Sequence, residues 1–114
     1  MNRDAVRIRH ILDAIDKIEA LVLRGREKYD SDETIRDSII RKLEIIGEAV
    51  KYVSTELKNK YTQIEWKRLA GMRDVLIHQY FGVDINIIWD VANKRIPELK
   101  SKLKAIAEDI GEPE

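Results

Sequence analysis

The sequence predicts an all-α protein, a small antiparallel bundle of four to five helices. Three observations carry this. Apolar residues recur at spacings of three and four from Ile8 to Ile110, the signature of a stripe along a helix. Only two prolines and five glycines interrupt the 114 residues. No useful length alternates apolar and polar with the period of two that a half-buried strand shows, and there is no internal repeat or low-complexity tract.

The first helix is marked by Ile8, Ile11, Leu12, Ile15, Ile18 and Val22, and Gly25 with the polar run Lys28-Tyr-Asp-Ser-Asp32 ends it. The second carries Ile35, Ile39, Leu43, Ile46, Val50 and Val53, with Ser31 or Asp32 able to cap its start. Gly47 lies beside this stripe. A glycine inside a helix costs up to about 1 kcal/mol in propensity, so it reads either as room for a neighbouring helix or as chance. Thr62-Gln-Ile-Glu65 has the capping-box pattern and announces a third helix that runs to about Tyr80, with Leu69, Met72 and Leu76 facing the core. Trp66, Trp89, Phe81 and the two methionines also read as core. Gly82 and Val83-Asp84 read as a stop and a new cap. The last segment keeps Ile85, Ile88, Ala92, Ile96, Leu99, Leu103, Ile106 and Ile110 in one register, so both sides of Pro97 face one core although the proline kinks or breaks the helix.

Hydrophobic residues make up 44% and charged residues 37%, which suits amphipathic helices with charged outer faces and excludes a disordered chain. This length predicts a single domain, residues 1–114. There is no cysteine, so thiol catalysis, disulfides and cysteine-bound metal are excluded, and a reducing cytoplasm is expected. The first ten residues lack the apolar core of a signal peptide, and no apolar run approaches the roughly 20 residues of a membrane span. Formal net charge is zero, with 21 basic and 21 acidic side chains. Affinity for nucleic acid must therefore come from local patches. From Lys51 to Arg73 six basic residues face only Glu56 and Glu65, whereas the tail from Ala105 onward is wholly acidic. Both also read as solvated helix faces.

The chemistry concentrates in Gly71-Met-Arg-Asp-Val-Leu-Ile-His-Gln-Tyr80. Arg73 is an obligate cation that can neutralise phosphate oxygens, and His78 titrates near neutrality and can take a proton from a hydroxyl or give one to a leaving oxygen. Asp74, one turn before His78, can hold the imidazole's tautomer, or serve only as a salt-bridge partner of Arg73 or a solvated residue. His78 can equally be a half-buried residue at a helix end. Tyr80 reads either as an end-of-helix aromatic or as a modifiable phenol beside a catalytic centre. Glu44 and Glu48 can pair with the motif cations or face water.

Five steps along a regular helix set Arg73 and His78 roughly 140° apart, so one ideal helix does not converge them. Arginine's reach, a loosened turn near Tyr80, or a second subunit contributing across a two-fold axis would do so, and the last is favoured. Metal chemistry finds no support: no Glu-x-x-His occurs and there are only two histidines. Phosphate loops, dinucleotide fingerprints and nucleophile elbows are absent too.

Arg73-x4-His78-x-Tyr80, preceded by Ile64-Glu-Trp66, Ala70-Gly-Met72 and the earlier Leu43-Glu-Ile-Ile-Gly-Glu-Ala49, resembles the HepT-like branch of the HEPN superfamily over nearly the whole chain. The resemblance implies a HEPN helical bundle and the toxin of a type VII toxin–antitoxin pair. Such a toxin is a metal-independent endoribonuclease acting as a homodimer on RNA, with no cofactor. In the mechanism proposed for the family, the histidine matching His78 promotes attack by the ribose 2′-hydroxyl, and the arginine matching Arg73 supports charge on the phosphorane. The polar residue after the arginine is often asparagine in the family and is Asp74 here. A nucleotidyltransferase antitoxin resembling MntA is implied as partner, transferring AMP to the tyrosine matching Tyr80. The alternative is a non-catalytic helical module that binds a nucleotidyltransferase or a nucleotide.

Overall fold

The computed structural model describes residues 3–78 and 84–111. Among them every regular element is helical. In chain order these are α1 (Arg3–Val22), α2 (Arg26–Ser31), α3 (Glu33–Lys51), α4 (Thr55–Lys60), α5 (Trp66–His78), α6 (Ile85–Asp90) and α7 (Ile96–Ile110), with a π-helical segment, Val91–Arg95, joining α6 to α7. The all-α expectation holds.

The long helices form where the sequence repeats apolar residues at three and four. Ile8, Ile11, Ile15 and Ile18 of α1 are buried against Ile39, Leu43, Ile46 and Val50 of α3, and Ile96, Leu99, Leu103 and Ile106 of α7 complete the core. Each such side chain stabilises the bundle by about 1.5–3 kcal/mol relative to exposure. The helix directions follow from contacts at their ends. Asp4, at the start of α1, accepts hydrogen bonds from the Ser54 amide (2.9 Å) and hydroxyl (2.6 Å) just past α3, so α3 returns antiparallel to α1. Lys100, near the start of α7, meets Asp16 (3.2 Å) and Glu19 (2.5 Å) near the end of α1, which sets α7 antiparallel as well.

Several expectations need correction. The run after Gly25 is not merely polar: it forms α2, and Tyr29 is completely buried. The Tyr29 hydroxyl donates to the Ile85 carbonyl at 2.6 Å, and its ring packs at 5.0 Å on Trp89. Arg26 lies over both rings and donates to Asn86, tying α2 to α6. Asp32 caps α3 as expected, accepting from the Thr34 amide at 2.9 Å. The residues Thr55–Lys60 form α4, capped by Ser54, whose hydroxyl accepts from the Leu57 amide at 3.1 Å. Consequently α5 begins only at Trp66, beyond the start that the Thr62 pattern implied, and the Trp66 indole anchors it by donating to the Tyr61 carbonyl at 2.9 Å. Ile85, expected in the core, is exposed.

Pro97 takes a specific form. It stands in the first turn of α7, where a missing amide donor costs least. One turn earlier the helix widens into the π segment, with the Ile96 amide bonded to the Val91 carbonyl five residues back. That register change admits the proline ring while Ala92 and Ile96 both stay in the core. Gly47 is buried on α3, which packs against both α1 and α5.

Candidate active site on α5

The fifth helix carries the motif. Leu76 buries against the core, Leu69 and Met72 pack beside it, and the Trp66 indole fixes the first turn, so the positions between them are set by the helix itself. The backbones of Arg73, Asp74 and His78 all lie within α5, which stays regular through His78. Arg73 and His78 therefore stand roughly 140° apart around its axis, as the spacing requires. No loosened turn occurs before His78. Tyr80 lies outside the described residues, as do Phe81, Gly82, Val83 and Met1.

Asp74 has a partner that the sequence did not announce. The Lys51 ammonium, at the end of α3, donates to its carboxylate at 3.1 Å, and both side chains are about half exposed. The carboxylate next to Arg73 is thereby compensated by a cation from another helix. A phosphate approaching this end of α5 meets a paired charge rather than a bare anion. Nothing local predicts the contact, because 23 residues separate the two and only the packing of α3 on α5 brings them together. Glu44 pairs instead with Arg41 on its own helix at 3.3 Å, with its carboxylate side chain mostly covered. His10 is exposed on α1.

Two further surfaces adjoin the motif helix. Beyond Lys51, the exposed ring of Tyr52 lies 5.0 Å beneath the guanidinium carbon of Arg7 on α1. On another side, a groove of about 730 Å³ runs along α5, floored by Leu69, Met72, Leu76 and Ile88 and rimmed by Arg68 and Arg95. Its apolar floor suits an apolar or amphipathic partner better than a phosphate strand. Arg68 also contacts Glu65 at 3.2 Å, and Arg95 contacts Glu98 at 3.9 Å. Among the described residues no group of three histidine, cysteine, aspartate or glutamate side chains could hold a metal ion. No described helix is long and apolar enough to cross a membrane.

An all-α bundle with an Arg-x4-His pair on one helix is the arrangement that the resemblance to HEPN proteins implies. The class narrows with the sequence comparisons. Residues 11–106 match the family described as "Ribonuclease HepT-like", and the chain belongs to that family and with it to the RNA endonucleases. A "Putative RNase" of Methanocaldococcus jannaschii is 46% identical over 86 residues, covering 75% of this chain and 74% of that protein. A "Probable ribonuclease HepT" of Thermococcus cleftensis is 39% identical over 97 residues, covering 84% of this chain and 88% of that one. A third relative, the "Gamma-glutamylcyclotransferase and putative RNase" of Methanocaldococcus jannaschii, is 39% identical over 112 residues, 96% of this chain. The chain spans about half the length of that protein. No solved structure matches it.

Proposed function

We propose that this chain is the ribonuclease toxin of a toxin–antitoxin pair, cutting RNA internally with Arg73 and His78 and without a metal ion. The observation that carries this is the position of both residues on one regular helix, within the stretch that matches a ribonuclease family. In the proposed step the ribose 2′-oxygen attacks the adjacent phosphorus as the imidazole of His78 accepts its proton. The bond from phosphorus to the 5′-oxygen breaks, the leaving oxygen takes up a proton, and a 2′,3′-cyclic phosphate remains. Arg73 stabilises the extra negative charge of the phosphorane, where a fixed guanidinium contributes most. Asp74 supports the site from the same helix. Because Arg73 and His78 diverge around α5, the reading includes a homodimer in which two copies contribute to one cleft.

The same reading assigns Tyr80 as the acceptor of AMP from a nucleotidyltransferase antitoxin. The added phosphate charge and bulk would repel RNA and fill the cleft. Supporting these finer assignments are the Arg73-x4-His78-x-Tyr80 pattern and family membership. The test is a defined RNA strand in which each ribose in turn is replaced by 2′-deoxyribose. Cleavage should stop only when the sugar 5′ to the cut lacks its hydroxyl, and the product should end in a cyclic phosphate. A cut that persists at a 2′-deoxy position would refute the mechanism.

A further inference from the structure

The surface between α1, the end of α3 and α5 holds a group of side chains that neither the core nor the proposed chemistry uses. Tyr52 closes α3 and is 61% exposed as a residue, and among the described residues it is not one that packs on the core. The Arg7 guanidinium carbon sits 5.0 Å from the centre of that ring. Lys51, its neighbour in the chain, bonds Asp74, the residue beside Arg73. Cation, aromatic and cation thus form one strip that starts at α1 and ends on the motif helix.

We propose that Arg7 and Tyr52 form a stacking subsite for an unpaired base of single-stranded RNA flanking the cut, with Lys51 holding the phosphate between that base and α5. The proposal rests on the reading of the chain as an RNA-cleaving enzyme and extends it to substrate binding. Single strands are held by aromatic rings and arginine planes on which bases stack, next to cations that track the backbone. Stacking of this kind tolerates any base, because every base has a π-face. Lys51 has three donors, so its bond to Asp74 leaves capacity for a phosphate oxygen. The strip also falls at the start of the stretch from Lys51 to Arg73, where basic residues outnumber acidic ones. A bare cation–π staple between α1 and α3 would need the same two side chains but no exposed ring face and no adjoining lysine.

The experiment uses wild-type protein and the variants Tyr52→Ala, Tyr52→Phe and Arg7→Ala. Binding is read by fluorescence anisotropy on a labelled single strand of 2′-O-methyl RNA, which offers no attacking hydroxyl. Cleavage kinetics are read on the all-ribose strand, and thermal melting of each variant is recorded. Tyr52→Ala should weaken binding and raise KM about tenfold with kcat unchanged, Arg7→Ala should do so less, and Tyr52→Phe should stay near wild type. If wild type cleaves and Tyr52→Ala shows the same affinity and KM, the subsite is wrong while the ribonuclease reading stands; a lower melting temperature with unchanged KM would assign the pair to a structural staple. Wild-type protein that neither binds nor cleaves RNA overturns both.

Discussion

Replacing Tyr29 by phenylalanine separates two roles that the structure gives this side chain. The ring is fully buried and packs on Trp89, and phenylalanine keeps that contact. What it loses is the 2.6 Å hydrogen bond to the carbonyl of Ile85, the first residue of α6. Ile85 is itself 39% exposed, so water can approach it and the cost stays near that of an ordinary hydrogen bond, about 1 kcal/mol, rather than that of a buried orphan. Unfolding entropy of about 2.1 cal/mol/K per residue over this chain gives about 0.24 kcal/mol/K, so the melting temperature should fall by about 4 °C. Tyr29→Ala, which removes the ring as well, should cost about 3–5 kcal/mol and lower it by about 12–20 °C. Differential scanning calorimetry near neutral pH measures both. A Tyr29→Phe variant that melts with wild type, or as low as Tyr29→Ala, would refute the division between ring and hydroxyl. The variant also carries a pH signature. Burial raises the pKa of Tyr29 above 10.0 against the opposing pull of Arg26 and Arg36. A raised pKa means stability that is full below the unfolded value and lost as pH rises through the folded one. The deficit of Tyr29→Phe should therefore shrink on the alkaline side of 10.0.

Gly71 lies inside α5, and a methyl group added there would meet no atom within 4 Å among the described residues beyond its own helix backbone and chain neighbours, so Gly71→Ala should stabilise the isolated chain by about 0.5–1 kcal/mol in urea titration. A loss instead would mean that this face of α5 is covered in the assembled protein. Ser54→Ala removes both the cap of α4 and a ligand of Asp4, and should cost about 1–2 kcal/mol, whereas Ser54→Asp would keep the cap yet repel Asp4. The hydrogen bond to Glu19, and then that to Asp16, raises the pKa of Lys100 above 10.5. Its contribution is present below 10.5 and lost as pH climbs through the raised value, so Lys100→Gln should flatten the alkaline decline in melting temperature.

The long helices were legible because their burial repeats along the chain: Ile8, Ile11, Ile15 and Ile18 can face one way only on a helix. The short helices were not. In α2 only Tyr29 is buried and in α4 only Leu57, and one apolar residue has no period. Thr62 carried a capping signal, but the link after α4 turns instead, its Ile64 and Trp66 amides bonded to the Tyr61 and Ile64 carbonyls, and the helix starts only at Trp66. At Pro97 the local rule and the stripe conflicted, and the π segment satisfied both by changing register just before the proline. In the candidate site the residues sharing α5 were readable from spacing, because a helix converts sequence distance into geometry. The pairing of Lys51 with Asp74 and of Arg7 with Tyr52 was not, because each joins different helices through packing that no local pattern encodes.

The most direct measurement is cleavage of total RNA in excess chelator by purified wild-type protein and by its His78→Ala variant, with the intact mass and melting temperature of each recorded beforehand. Unmodified wild type should cut, and His78→Ala should be inactive while melting like wild type. Equal cleavage by a folded His78→Ala, or cleavage that the chelator abolishes, would contradict a metal-independent reaction carried by the imidazole on α5.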